Sequence, residues 1–367
     1  MRPALTELIR IPARKMKSIL NDAEKSAKAV DLVYVRDTEE GIKRRKRGKH
    51  FYYLSKESNI KNKSTLARIK SLVIPPAWED VWICNLANGH LQATGIDAKK
   101  RKQYRYHAMW NALRNHTKYY RLLQFGKALP QIRLQVEKDI SLPGMPQEKV
   151  LALVISLLER TNIRVGNNEY EKLYGSFELT TLKDKHVSIN GHDLQFTFKG
   201  KKGVHHQINL KNRKLAKIVS ACRDIPGREL FQYYTSEEEI KSVDSGMVNA
   251  YIKQISGSDF TTKDFRTWAG TIHAFLAFKE LGGFETATEA KKKIAEALDM
   301  VSKNLGNTRN VCKKYYVHPV ILSLYESKSL DKYITELDEI EKKDEKSDLT
   351  SAEKVVMKIL SLSPTLS

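Results

Sequence analysis

Near the C-terminal end of the 367-residue chain, Val311-Cys312-Lys313-Lys314-Tyr315-Tyr316-Val317-His318-Pro319 sets two phenols among cations. A phenol ionises near pH ~10, so one that acts as a nucleophile at neutral pH needs fixed positive charge around it. Its substrate must tolerate that charge, and a phosphodiester does. The plain alternative is that Tyr315 and Tyr316 pack one side of an amphipathic helix. Only partners elsewhere in the chain can decide.

Four segments offer such partners. Arg160-Thr161-Asn162-Ile163-Arg164-Val165-Gly166-Asn167 lies at the end of a helical stretch; Arg164 can grip two phosphate oxygens with its planar fork, and Gly166 permits close approach of backbone and ligand. Lys201 stands at a hairpin tip flanked by glycines, placed to protonate a leaving oxygen, with Lys202 as the competing choice. Lys263-Asp264-Phe265-Arg266-Thr267-Trp268-Ala269-Gly270-Thr271 opens a helix, with Asp264 expected as its cap and Arg266 as a second clamp. Asn307, after Gly306, offers an amide donor to a non-bridging oxygen. Singly, each is an ordinary surface or cap residue. Jointly they match what phosphoryl transfer to a phenol requires: guanidinium charge against the pentacoordinate phosphorus, an ammonium as general acid, and an amide donor. That chemistry calls for no metal and no other cofactor.

The rest of the chain must carry these groups to one place and bring a polyanion to them. Lys and Arg outnumber Asp and Glu by 64 to 43, a formal charge of +21, which points to nucleic acid first and an anionic membrane surface second. At 41% hydrophobic content the chain can build two ordinary domains. The longest apolar run, Val150 to Leu158, is too short to span a membrane. No signal-peptide block and no GxxxxGK[ST] or GxGxxG loop is present. Cys84, Cys222 and Cys312 are odd in number and form no CxxC pair, which argues against disulfides and zinc. The expectation is a soluble protein of a reducing cytoplasm that uses no nucleotide.

In chain order, residues 1–30 read as a basic helix, and Asp31 to Arg36 as a short strand. Residues 42–50, with Arg44 and Arg45, read as a basic turn leading into the aromatic strand Phe51-Tyr52-Tyr53-Leu54, a candidate phosphate-contacting hairpin. Pro75 and Pro76 break any helix. Strands follow at 81–84 and 89–95, joined by Asn88-Gly89. Arg101, Lys102, Gln103, Tyr104, Arg105 and Tyr106 interleave cations, aromatics and an amide in a pattern suited to DNA contact; a solvated strand edge is the bland reading. From Trp110 the pattern turns helical. The expected fold is α+β: residues 1–113 a small basic β-sheet domain, 114–337 a mainly α-helical domain with a three-stranded meander near 186–210, and 338–367 a charged linker with a short helix. A helix is expected over 286–305, closed by Gly306, and Thr350 with Glu353 is spaced as a capping box.

The order Arg164, Lys201, Arg266, Asn307, Tyr316 resembles that of the type IB DNA topoisomerases, in their bacterial and poxvirus-like branch. The resemblance covers roughly residues 30–330 and extends to Ile74-Pro75-Pro76-Ala77-Trp78, residues 89–95, residues 101–107 and residues 263–271. It favours Tyr316 over Tyr315, since Tyr316 immediately precedes Val317-His318-Pro319. The resemblance implies a two-domain clamp around duplex DNA, preferably supercoiled, acting as a monomer at the nucleoid with no membrane association. Tyr316 would form a 3′-phosphotyrosyl link, Arg164 and Arg266 would hold the phosphate, Lys201 would be the general acid, and Asn307 a hydrogen-bond donor. Gln103, Tyr104 and Tyr106 would touch DNA. Two positions depart from the pattern: Asn307 stands where the poxvirus branch has histidine, and Lys100 where relatives tend to have glycine. A tyrosine recombinase, sharing the Arg, Lys, Arg and Tyr chemistry, and a non-catalytic basic DNA-binding protein are the alternatives.

Overall fold

The computed structural model describes residues 19, 22–48, 50–98, 100–166, 175–342 and 348–362, with the side chains at 115, 116, 118, 119 and 202 outside that description. The first 18 residues of the expected basic helix, Lys99, Asn167, the Lys202 side chain and residues 343–347 therefore lie outside the described residues. The architecture is α+β in two units that divide at Tyr120/Arg121. That division falls inside one long helix rather than near 113.

The N-terminal unit is an antiparallel sheet in the order β3-β2-β1-β4-β5-β6, made of β1 (Ile42–Arg47), β2 (His50–Ser55), β3 (Ser58–Asn59), β4 (Glu79–Ile83), β5 (Leu91–Ile96) and β6 (Lys102–Tyr106). Ile42, Ile69, Val81, Ile83 and Ala93 form a buried cluster beneath it. α1 (Ala23–Lys28) and α2 (Lys63–Ser71) belong to the same unit, and α2 ends before Pro75 and Pro76. The run 42–50 is mostly strand and not a turn: its period of two buries Ile42 and Arg44, and the chain reverses only at Gly48, whose φ is +58°. Residues 31–36, expected as a strand, make a single bridge, Val33 to Gly89. Asp31 at φ +56° is incompatible with extended backbone there.

Helix α3 (Ala108–Ile140) leads into the second unit. Its centre is α4 (Gln147–Thr161), in which Val150, Leu151, Leu153, Val154, Ile155, Leu157 and Leu158 are all buried. A helix apolar on every side needs neighbours on every side, and α5 (Arg213–Arg223), α6 (Ser245–Ser256) and α7 (Thr262–Leu281) pack around it. The meander is β7 (Val187–Asn190), β8 (Asp193–Lys199) and β9 (His205–Lys211); β10 (Gln232–Tyr234) and β11 (Ile240–Ser242) form a separate ribbon. α8 (Ala287–Leu305) is capped by Thr286 and closed by Gly306 at φ +58°. Then come α9 (Arg309–Tyr315), α10 (Pro319–Glu326), α11 (Asp331–Lys342) and α12 (Ser351–Leu362). The linker expected from 338 thus begins as helix, because Tyr333 and Leu337 bury one face of α11. Thr350 and Glu353 do form a reciprocal capping box. The cap of α7 is Thr261 and not Asp264, which sits at the third helical position and accepts from the Thr261 amide at 2.8 Å.

Candidate active site

Three helix ends and one hairpin meet at Tyr316. At the end of α4, Asn162 takes the left-handed conformation (φ +55°) and turns its carbonyl back toward α7. That carbonyl accepts from Arg266 Nη1, while Arg266 Nη2 donates to the Leu305 carbonyl at 2.7 Å. The Arg266 guanidinium thus joins the ends of α4 and α8. Its carbon lies 5.2 Å from the centroid of the Tyr316 ring. It is 4% exposed. Burial first, and then the neighbouring Arg164 charge, push its pKa down, with the Tyr316 phenol pulling the other way. Among the described residues its Nε has no hydrogen-bond partner.

Arg164, two residues beyond Asn162, donates from Nη2 to the Gly306 carbonyl at 2.9 Å and to Asn307 Oδ1. The left-handed Gly306 ends α8 and sends Asn307 into the cleft, where its amide also bonds the Ser302 carbonyl at 3.0 Å. With Oδ1 taken by Arg164, Nδ2 is the donating end of that side chain.

Tyr316 ends α9, where its amide bonds the Cys312 carbonyl. It lies on Gly270 of α7 so closely that a Cβ there would stand 2.6 Å from the Tyr316 carbonyl oxygen. Thr271 Oγ1 donates to that carbonyl at 3.3 Å and accepts from the His318 amide at 3.1 Å. Tyr315 is exposed, with Lys314 Nζ 5.4 Å from its ring, and does not line the cleft. Cys312 is fully buried, and burial pushes its thiol up to about 11 against the pull of Arg266 and Arg164, so it is no competing nucleophile.

Lys201 heads the short turn Lys201–Gly203 between β8 and β9. The turn closes through Gly203 N to Gly200 O at 3.0 Å and Gly200 N to Val204 O at 2.7 Å. Lys201 lines the same cleft of about 570 Å³ as Arg164, Asn307 and Tyr316. The structure thus brings together the five residues singled out from the sequence, Arg266 entering through its contact with Tyr316.

Two residues of the site had no signal in the sequence. His206, on β9, stacks on Phe198 (4.9 Å between centroids, 19°) and lines the cleft. Its ring fills space that two glycines leave open. A Cβ on Gly200 would lie 2.7 Å from it, and one on Gly306 would clash with it as well. His206 therefore seats the Lys201 hairpin on the end of α8. Burial, then Arg164 and Arg266, lower its pKa, so it is neutral at physiological pH. The second is Glu178, which lines a small cavity together with Arg164, Lys201 and His206.

The residues singled out in the N-terminal unit are more dispersed. The strand period sets Lys102, Tyr104 and Tyr106 on one face of β6, with Gln103 and Arg105 on the other. Tyr104 is exposed and stacks on Tyr106 (5.9 Å, 8°). Lys102 pairs with Asp37 at 2.6 Å, Arg101 and Gln103 with Asp97, and Arg105 donates to the Val73 carbonyl at 2.9 Å. Arg45 is exposed on β1. Arg44 is turned inward: it donates to the carbonyls of Ile74, Pro75 and Trp78 and lies 4.3 Å from the Phe51 ring, so its guanidinium holds the 74–78 turn. Lys100, where the resemblance leads one to expect glycine, adopts φ +56°. The turn is kept by its amide bond to the Asp97 carbonyl and a 2.7 Å ion pair with Glu79.

Residues 100–346 match the family described as the catalytic core of eukaryotic DNA topoisomerase I, and residues 49–97 match the N-terminal domain of bacterial DNA topoisomerase IB. DNA topoisomerase 1B of Acanthamoeba polyphaga mimivirus is 32% identical over 297 residues, covering 78% of this chain and 88% of that protein. DNA topoisomerase 1B of Vaccinia virus (strain Copenhagen) and DNA topoisomerase I of Monkeypox virus are each 24% identical over 262 residues, 70% of this chain and 78% of theirs. With a catalytic-core match over most of its length, an N-terminal-domain match before it and a relative of this identity and coverage, the chain belongs to the type IB DNA topoisomerase family.

Proposed function

We propose that this protein relaxes supercoiled duplex DNA by cutting one strand, letting it swivel and resealing it, with Tyr316 as the nucleophile. The observation that carries the reading is the convergence of Arg164, Lys201, Asn307 and Tyr316 on one cleft, with Arg266 against the Tyr316 ring. The Tyr316 oxygen attacks phosphorus, the bond to the 5′-oxygen breaks, and a 3′-phosphotyrosyl link remains. Arg164 and Arg266 offset the negative charge that builds on the phosphoryl oxygens, and Asn307 donates from Nδ2 to one of them. The buried Arg266 Nε is a donor that a phosphate oxygen beside the phenol would satisfy. Lys201 protonates the departing 5′-oxygen. Resealing is the reverse step, and the phosphodiester energy is kept in the covalent link, so ATP is not consumed.

The same reading makes duplex DNA, preferably supercoiled, the partner, and has the protein act as a monomer at the nucleoid. It also has the two units close on the duplex as a clamp, with Arg45, Arg101, Lys102, Gln103, Tyr104, Arg105 and Tyr106 presented by the N-terminal unit. Among the described residues no helix is long and apolar enough to cross a membrane. The deciding experiment uses Tyr316→Phe on plasmid and on end-labelled duplex. DNA binding should persist while relaxation and the covalent adduct disappear; relaxation at an unchanged rate removes Tyr316 as the nucleophile. A plasmid without paired recombination sites makes relaxation distinct from recombination.

A further inference from the structure

The catalytic scheme uses four cationic or amide groups and one phenol, yet a carboxylate sits among them. Backbone bonds fix its place. The Phe177 amide donates to the Lys199 carbonyl at 2.8 Å, at the base of the Lys201 hairpin, and the Leu179 amide donates to the Arg164 carbonyl at 2.6 Å. Glu178, between them, is thereby held between the base of the Lys201 hairpin and the main chain of Arg164. Its main chain also closes the Leu179–Thr181 turn: the Glu178 carbonyl accepts from the Thr181 amide at 2.9 Å and its amide donates to Thr181 Oγ1 at 2.9 Å. Gly166 opens the necessary room: a Cβ there would lie 2.6 Å from Glu178 Cβ and 3.0 Å from its Oε2. Burial pushes the Glu178 carboxyl above its ordinary value, while Arg164, then Lys201 and Arg266, draw it down.

We propose that Glu178 is the built-in counter-anion of the catalytic pocket, a carboxylate that balances Arg164 and Lys201 when no phosphate is bound and weakens their hold on the scissile phosphodiester. The inference rests on the topoisomerase reading. Its physical basis is like-charge repulsion: a carboxylate and a phosphodiester brought to the same cations disfavour each other, and inside a cavity solvent screens this less. The groups facing Glu178 are the cations Arg164, Lys201 and Arg266 and the neutral imidazole of His206. DNA binding should therefore draw a proton onto Glu178. Acid should tighten binding through this residue in a window above the ordinary carboxylate range.

The test is made in the Tyr316→Phe background, where binding is free of covalent chemistry, on a duplex that the protein with Tyr316 intact is shown to link covalently. Glu178→Gln removes the charge and keeps the shape. Glu178→Ser removes it with a shorter polar side chain and keeps the main-chain bonds of the 179–181 turn, so the test survives if one variant folds poorly. Glu178→Asp retains the charge. Both neutral variants should lower Kd by about threefold to tenfold. They should also flatten the change of log Kd with pH above the ordinary carboxylate range, which Glu178→Asp should retain. An unchanged or higher Kd in the neutral variants, with the pH slope intact, overturns the counter-anion. Absence of any covalent adduct with Tyr316 present overturns the topoisomerase reading instead, so the two failures are distinguishable.

Discussion

Arg266 shows at the scale of one residue why a cationic site is more than a count of cations. Its guanidinium spends two donors on carbonyls of different helices and stands against a tyrosine ring, a geometry that only a planar fork can satisfy. Lysine at this position keeps the charge and loses the fork; Arg266→Lys is expected to reduce single-turnover cleavage by about a hundredfold or more. Gly270 is the reverse case, a residue that contributes by having no side chain. Because its absent Cβ would meet a main-chain oxygen of Tyr316, Gly270→Ala must push α9 away. Adduct formation should fall by about tenfold or more, with a stability loss of about 1–3 kcal/mol read by denaturant unfolding; wild-type cleavage would show that Tyr316 does not depend on this contact. Lys201 is tested by its leaving group. Lys201→Ala should slow cleavage of an oxygen-bridged substrate much more than of a 5′-thiolate, which needs no proton, and equal losses would transfer the role to Lys202.

Among elements, the packing of α12 shows how the segment beyond the catalytic-core match supports it. Glu353, almost fully buried, accepts from both Arg133 terminal nitrogens, at 2.8 and 2.9 Å, and from Trp268 Nε1 at 2.9 Å on α7. Burial pushes its carboxyl up, but the hydrogen bond and charge of Arg133, helped by Trp268 and the Thr350 amide, outweigh that and hold it below its ordinary value. The sign follows: this contribution to stability is complete above pH ~4.5 and is lost as pH falls through the lower folded value. Glu353→Ala leaves Arg133 with Glu159 as its carboxylate partner and strips the buried Trp268 Nε1 of its acceptor, and should cost about 1–3 kcal/mol, and Glu353→Gln should flatten the acid limb of stability against pH. A melting temperature unchanged in Glu353→Ala would contradict the docking. The capping box behind this helix was readable from Thr350 and Glu353 because it depends on a spacing of three. The destination of the Glu353 carboxylate was not, since Arg133 and Trp268 are far away in sequence. Likewise the ends of α8 were legible from Thr286 and Gly306, whereas β1 was misread as a turn: a run of Arg and Lys conceals that Arg44 points inward.

For the whole molecule, the excess of 64 basic over 43 acidic residues sets an expectation that no single side chain carries. DNA affinity should fall by about tenfold or more between 50 and 200 mM salt as phosphate contacts release counterions, and a flat dependence would contradict phosphate-led binding. The α+β class was visible in the change of pattern near Trp110, from alternating to helical. Convergence on the cleft at Tyr316 was not visible in any local pattern, because residues 164, 201, 266, 307 and 316 meet only through the packing of helix ends and of the hairpin between β8 and β9. His206 and Glu178 escaped notice for the same reason: one is defined by the two glycines that make way for it, the other by backbone bonds to both of its neighbours.

The anchors of Arg164 and Arg266 have one more implication. Their acceptors at Asn162, Leu305 and Gly306 are peptide oxygens, which no codon change can delete. The side chain at position 305 can change and leave the guanidinium seats standing, whereas position 162 must accept a left-handed twist and position 306 both that twist and the lack of a Cβ beside His206. The orientation of the two guanidiniums is thereby inherited from the path of the main chain.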